Sequence, residues 1–160
     1  MTKAGVVISL GEPGWRHGGV TAARVRAAAR LALARGLELD RNPRPAGRGL
    51  TVLLAGDDRL RELNRRFRGK DHPTNVLSFP ALENGSGYLG DVALALGVAA
   101  REARTAEKRL VDHAVHLTVH GVLHLLGYDH RKPGEARTME RLEIAILHEL
   151  GVANPYTQRS

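Results

Sequence analysis

Residues 107–130 read EKRLVDHAVHLTVHGVLHLLGYDH, and this stretch contains five of the eight histidines of the chain. Its apolar residues recur at helical spacing from about Glu107 to Leu126, so we expect the longest helix of the protein here. Gly127 follows as a helix stop, because glycine readily adopts the left-handed conformation that ends a helix. The histidines therefore lie on one helix and on the segment that leaves it.

The spacing of the histidines predicts a metal site. His120 and His124 are four residues apart, which places them about 40° apart around a helix axis and one turn apart along it. Two such imidazoles can reach one ion at about 2.0–2.1 Å, the usual distance between zinc and nitrogen. His130 is six residues further on, but a break at Gly127 lets the chain fold back and present His130 as the third ligand.

Two further histidines compete for this role. His116 lies on the same helical stripe, but about 12 Å would separate it from His124 along the axis, too far to share one ion. A pair of His116 and His120 is allowed by geometry, although no third ligand at a helix break would serve it. We expect His116 and His113 to pack in the core or to support the ligands. An ordinary structural role for all of the histidines is the alternative.

The ligand set indicates what the ion would do. Three neutral imidazoles leave one coordination position open, which is the pattern of a catalytic zinc site. An ion in such a site acidifies water and so favours hydrolysis near neutral pH. In zincin peptidases a glutamate follows the first histidine and acts as general base, whereas this chain has Gly121. A peptidase mechanism therefore lacks its usual base.

The distribution of charge favours a polyanionic partner. The chain has 24 Lys and Arg against 17 Asp and Glu, a formal net charge of +7. Residues 1–70 carry a net charge of +9 and residues 71–160 a net charge of −2. This imbalance suits nucleic acid, but a generally arginine-rich surface explains it equally well. Aromatic residues make up only 4% of the chain, so we do not expect a base-stacking platform.

The rest of the pattern predicts one α+β domain over residues 1–160, with about four short strands in a mostly mixed sheet and about five helices. The histidines lie on a zincin-like metal helix. Strands are expected near 6–10, 50–54, 75–79 and 89–96, and helices near 19–35, 57–68, 98–104, 107–126 and 134–150. No apolar run reaches about 18 residues, and the first residues lack a secretory signal. We therefore expect a cytoplasmic protein with no membrane association.

Helical spacing also predicts which residues face the core. Gly36 should end the first long helix, and Gly151 should end the last one. The inward side chains of the second and last long helices should be Leu60, Leu63 and Phe67, and Met139, Leu142 and Ile146.

With the histidine motif assembled, the chain resembles the YbeY family, whose signature HGxLHLxGYDH matches residues 120–130. The resemblance continues through residues 63–64, 67–68, 73–80 and 89–92 and the pair Met139 and Glu143, and it covers roughly residues 50–150. Members of this family are bacterial single-domain endoribonucleases that mature ribosomal RNA. Asn75 departs from the family pattern, since many members have aspartate at that position.

The resemblance implies one Zn²⁺ per chain, held by His120, His124 and His130, and it places the family's functional arginine at Arg68. A guanidinium near the ion would clamp a phosphodiester. The implied activity is that of a single-strand-specific endoribonuclease in the maturation of the 3′ end of small-subunit ribosomal RNA and in ribosome quality control. The implied partners are ribosomal RNA and the ribosome or small-subunit proteins.

Two alternatives remain open from the sequence. The first is a metal-dependent hydrolase of another substrate, such as a peptide. The second is a non-catalytic, zinc-containing ribosome assembly factor. The sequence does not determine the oligomeric state.

Overall fold

A four-stranded mixed sheet forms the centre of the computed structural model, which describes residues 5–38, 49–81, 87–129 and 133–157. The strands are β1 (Val6–Leu10), β2 (Gly49–Ala55), β3 (Val76–Pro80) and β4 (Tyr88–Ala95). Their spatial order is β1-β2-β4-β3. Strands β1, β2 and β4 are parallel, and β3 runs antiparallel to β4 at one edge. The predicted four-stranded mixed sheet is confirmed.

Six helices surround this sheet in the described part of the chain. They are α1 (Gly14–His17), α2 (Ala22–Glu38), α3 (Asp57–Arg68), α4 (Leu96–Thr105), α5 (Leu110–Leu125) and α6 (Pro133–Glu149). The helix beyond the predicted five is the single turn α1, where the fully buried Trp15 donates its indole N–H to the carbonyl of Ala55 at 2.8 Å. The α+β class is confirmed. None of the described helices is long and apolar enough to cross a membrane.

Successive side chains along a strand point to opposite faces of the sheet. Each face packs against helices and forms its own hydrophobic core. Val52 and Val92 lie in the larger hydrophobic core, which also contains buried residues of α2, α5 and α6. Leu77 and Ala93 lie in a smaller core together with residues of α3 and α4. Helix α5 packs against β3 and β4, and this contact places the histidine helix beside the edge of the sheet.

Gly36 does not end the first long helix, so that prediction is wrong. It lies buried inside α2, which continues to Glu38. A Cβ atom at Gly36 would lie 2.5 Å from the side chain of Leu126, and the hydroxyl of Tyr128 donates to the Gly36 carbonyl at 2.8 Å. Glycine stands here because it allows α2 to approach the end of α5 closely.

The inner face predicted for α3 is correct at Leu60 and wrong at Phe67. Leu60 is fully buried and Leu63 packs against the smaller core, but Phe67 is 61% exposed. The last turn of α3 lies beside β3, where Phe79 contacts the Phe67 ring with centroids 5.4 Å apart. Because β3 is the edge strand of the described sheet, no further strand covers this ring.

The prediction for the last helix is confirmed. Its three inward side chains Met139, Leu142 and Ile146 are buried. Gly151 follows the helix with a φ of +76°, a left-handed conformation that glycine adopts at no steric cost.

Candidate metal centre and groove

Helix α5 carries the histidines, and it begins three residues later than the sequence indicated. Glu107 has a φ of +54°, and the following amide of Lys108 donates to the carbonyl of Ala103 at 2.9 Å. These residues therefore close the end of α4, and α5 starts at Leu110. The predicted start at Glu107 was wrong, because Glu107 and Lys108 belong to the turn that ends α4.

The predicted break at Gly127 is confirmed. Gly127 has a φ of +97°, its amide donates to the carbonyl of His124 at 3.0 Å, and the amide of Tyr128 donates to the carbonyl of Leu123 at 3.1 Å. These bonds satisfy the last carbonyls of the helix. His130 lies outside the described residues, so its role as third ligand stays a prediction.

The Nε2 atoms of His120 and His124 lie within hydrogen-bond distance of each other. The two nitrogens are 3.0 Å apart, and the ring centroids are 4.6 Å apart. Two nitrogens on a tetrahedral zinc ion lie about 3.3 Å apart when each bond is about 2.0–2.1 Å long. Among the described residues, no group of three or more His, Cys, Asp or Glu side chains is placed to hold a metal ion. The separation of the two nitrogens is compatible with two ligands of one ion, and the role of both histidines as metal ligands stays a prediction.

A buried carboxylate holds His120 of this pair, together with His116. Glu143 on α6 is 1% exposed; its Oε1 accepts from Nδ1 of His120 at 2.7 Å, and its Oε2 accepts from Nε2 of His116 at 2.9 Å. An ionised carboxylate only accepts hydrogen bonds, so each of these ring nitrogens carries a proton. With its proton on Nδ1, a neutral His120 keeps an acceptor lone pair on Nε2, the atom that faces Nε2 of His124.

Glu143 is held in its charged form. Burial would raise the pKa of this carboxyl, but the hydrogen bonds from His116, His120 and Tyr156 outweigh burial and hold the pKa at about 2. The Tyr156 hydroxyl donates to Oε2 of Glu143 at 2.6 Å. Burial is the main cause that raises the pKa of Tyr156, and this hydrogen bond to the Glu143 carboxylate raises it further. The site therefore places one negative charge directly beside His120.

Reasoning from the residues missed the role of Glu143, which entered only through the family resemblance. A signal was present, because this acid stands inside the apolar face of α6, among Met139, Leu142 and Ile146. A glutamate in such a position must have partners, since an unpaired buried charge is costly. The histidines across the core supply them.

A groove of about 490 Å³ runs past the imidazole pair. Arg68, at the end of α3, lines this groove together with His120 and His124. The exposed Arg68 donates to the carbonyl of Ser78 at 3.1 Å and so reaches the edge strand β3. The structure thus brings Arg68 and two of the predicted ligands into one groove. The other lining residues are Asn64, Lys70, His72, Thr74, Asn75, Val76, Leu77, Ser78, Pro80 and Asp129.

Gly121 faces the sheet and not the groove. A Cβ atom there would lie 2.5 Å from the side chain of Val92 and 3.3 Å from the hydroxyl of Ser78. That hydroxyl donates to the carbonyl of Gly121 at 2.9 Å. The position that carries the general base in zincin peptidases therefore has no room for a side chain.

A second cavity, of about 530 Å³, adjoins the groove and shares Asn75, Val76 and His120 with it. There Nε2 of His113 donates to Glu102 at 2.8 Å, and the Asn75 amide donates to the same carboxylate at 3.0 Å. Burial lowers the pKa of His113, although the bond to Glu102 opposes this effect. An aspartate at position 75 would place a second carboxylate against Glu102, whereas the amide of Asn75 donates a hydrogen bond to it.

These features define a small α+β protein in which a largely buried helix presents two adjacent imidazoles, one of them bound to a buried carboxylate, to a groove containing arginine. The model of the family described as Endoribonuclease YbeY matches residues 19–151. The chain therefore belongs to the YbeY family.

Individual relatives agree with this assignment. The chain is 54% identical to the Endoribonuclease YbeY of Bordetella pertussis over 115 residues, which are 69% of this chain and 71% of the relative. It is 50% identical to the protein of that name from Maricaulis maris over 107 residues, 67% of either chain. The solution structure of TM1509 from Thermotoga maritima has a TM-score of 0.56 and 22% identity over 96% of this chain and 99% of that one. This last similarity concerns the fold alone.

Proposed function

We propose that this protein is a zinc-dependent endoribonuclease that hydrolyses single-stranded RNA. Membership of the YbeY family supports an activity on RNA. The observation that carries the proposal is that Arg68, His124 and the carboxylate-bound His120 line one groove. We place this activity in the maturation of the 3′ end of small-subunit ribosomal RNA and in ribosome quality control.

One zinc ion per chain would be held by His120, His124 and His130. The adjacent Nε2 atoms of the first two and the buried Glu143 beside His120 fit such an ion, since ligating histidines usually donate their other ring N–H to a carboxylate or carbonyl. When bound, zinc supplies positive charge at the reacting phosphate and makes a water acidic enough to ionise near neutral pH.

The residues of the chain supply the positioning. Arg68 binds the non-bridging oxygens of the scissile phosphodiester and stabilises the charge that develops on them during attack by water. Lys70 lines the same groove and attracts the neighbouring phosphate. Glu143 fixes the tautomer and orientation of His120. Hydrolysis adds water across one P–O bond, and the chain separates into two RNA fragments.

The charge of the chain supports this choice of partner. Residues 1–70, which contain Arg68 and Lys70, carry a net charge of +9, and such an excess of cations favours binding of phosphates with release of counterions. We propose ribosomal RNA as the substrate, the ribosome or small-subunit proteins as the setting, and the cytoplasm as the compartment.

Hydrolysis of a peptide is the weaker candidate. The position of the peptidase base is occupied by Gly121, which packs against Val92 and Ser78 of the sheet. A non-catalytic assembly factor would need the imidazole pair only as a structural site, whereas the pair borders an open groove.

Purified protein incubated with single-stranded RNA, and separately with casein, tests these choices. We expect cleavage of RNA and not of casein, loss of cleavage with a chelator, and recovery with zinc. His124→Ala should abolish cleavage in a still-folded protein. RNA cleavage by that variant at the wild-type rate would refute the metal mechanism, casein cleavage alone would favour a peptidase, and ribosome binding without any cleavage would favour an assembly factor.

A further inference from the structure

The last turn of α3 presents an exposed aromatic ring next to the groove. Phe67 is 61% exposed, the highest exposure of any large hydrophobic residue in the described part of the chain. Phe79 contacts the ring edge-on at 5.4 Å, with 61° between the ring planes. The guanidinium of Arg66 lies 5.5 Å from the ring centroid. The ring is therefore held in place and still accessible.

Several cations lie near this ring in the sequence, and none of them forms a salt bridge with an acid of the described chain, although Arg65 is close enough to Asp71 to help lower the pKa of that carboxyl. Two other arginines of α3 form salt bridges with acidic neighbours. In contrast, no salt bridge within the described residues involves the four cations nearest to Phe67 in sequence, which are Arg65, Arg66, Arg68 and Lys70. All four are exposed. Such a group of cations attracts a polyanion and leaves the aromatic ring for an uncharged part of the same ligand.

The ring is connected to the groove through its neighbour in sequence. Arg68 lines the groove with His120 and His124, whereas Phe67 contacts Phe79 on the edge strand. A strand of RNA whose phosphate is bound by Arg68 would therefore bring an adjacent nucleotide beside Phe67. Aromatic side chains stack on any base, and arginine adds a cation–π contribution, so such a contact is tolerant of sequence.

We propose that Phe67 is a base-stacking platform for single-stranded RNA, with Arg65 and Arg66 binding the adjoining phosphates. Resting on the proposed function, this inference adds a nucleotide subsite outside the metal groove. It also departs from the expectation, based on the low aromatic content, that the protein has no stacking platform. One well-placed ring is sufficient for one base.

The platform is tested by measuring the binding of two labelled oligonucleotides of equal length and charge. One is a single-stranded RNA, and the other is its abasic ribose-phosphate analogue. With a chelator present to keep the RNA intact, Phe67→Ala should weaken binding of the RNA by roughly 5- to 100-fold and leave binding of the abasic strand unchanged. Phe67→Trp should bind RNA at least as tightly as the wild type. Val7→Ala is the control, because Val7 is 57% exposed on β1 at the opposite edge of the sheet.

The two cations should behave in the opposite way. Changing Arg65 and Arg66 to Gln should weaken both strands and reduce the dependence of binding on salt concentration, because a phosphate contact does not involve the base. In the zinc-loaded enzyme, Phe67→Ala should raise KM with little change in kcat.

Several outcomes would overturn the platform. Equal weakening of the RNA and the abasic strand by Phe67→Ala would mean that the ring only maintains local structure. No weakening of either strand would exclude stacking, and a change in oligomeric state without a change in RNA binding would assign the ring to contact with a second copy of the chain. If the wild type binds RNA through Phe67 but never cleaves it, the proposed function fails while the platform stands.

Discussion

Replacing Glu143 with glutamine removes the charge beside His120 and keeps almost the same side-chain volume. Glu143 is 1% exposed, and its carboxyl has a pKa of about 2 in the folded protein against an ordinary value of 4.5. Each unit of pKa difference between the folded and unfolded states corresponds to about 1.4 kcal/mol. We therefore expect Glu143→Gln to lower the free energy of unfolding by about 3 kcal/mol at pH 7.

The effect has a defined dependence on pH. Because the folded pKa lies below the unfolded one, the ionised carboxylate stabilises the fold fully above about pH 4.5. This stabilisation is lost as the pH falls through the folded pKa of about 2. The variant has no such group, so the difference between wild type and variant should be greatest near neutral pH and should approach zero near pH 2.

Urea unfolding with a chelator present, followed by circular dichroism at several pH values, measures this difference without any contribution from metal binding. A zinc titration of the same samples should show affinity lower by about 10- to 100-fold in the variant, the usual cost of losing a partner of a ligating histidine. Glu140→Gln, an exposed change on the same helix, is the matched control. A difference that is absent at pH 7, or that does not vary with pH, would refute the reasoning that Glu143 is charged and stabilising.

Three further substitutions test separate parts of the structure. Arg68→Gln should lower the rate of RNA cleavage by about 100-fold while zinc affinity stays at the wild-type value; a fall in zinc affinity would place Arg68 in the metal site instead. Asn75→Asp should lower the free energy of unfolding by about 1–2 kcal/mol, because it places a second carboxylate against Glu102. Adding Glu102→Gln should restore the stability, and a double variant no more stable than the single one would disprove the pairing. Gly36→Ala should lower the free energy of unfolding, measured by thermal unfolding, by about 1–3 kcal/mol, because a Cβ atom there would lie 2.5 Å from a side chain. Gly134→Ala is the control and should cause no loss, because nothing lies within 4 Å of a Cβ atom at that position. Equal effects of the two changes would argue against close helix packing at Gly36.

The histidine helix was predictable because its signals are local. The spacing of His120 and His124 on α5 places both on one face of a helix, and the left-handed Gly127 follows from the conformational freedom of glycine. The mixed sheet was predictable from short apolar runs bounded by turn residues. These features need no knowledge of what lies across the core.

The features that were missed depend on tertiary contacts. Gly36 has the sequence context of a helix stop, yet the close approach of α5 decides its role. Phe67 follows the apolar spacing of α3, yet it lies where the sheet ends. Glu143 is 23 residues from His120 in sequence, and only the packing of α6 against α5 brings its carboxylate to the imidazoles.

The rate of single-stranded RNA cleavage during a zinc titration of the metal-free protein tests most directly whether three imidazoles and one ion carry the reaction. The wild type should gain activity until one zinc per chain has been added and then stay constant. His130→Ala, in a protein with an unchanged circular dichroism spectrum, should show no activity at that ratio. Full activity of His130→Ala at one equivalent of zinc, or a wild-type rate that is independent of zinc, would contradict the three-histidine site.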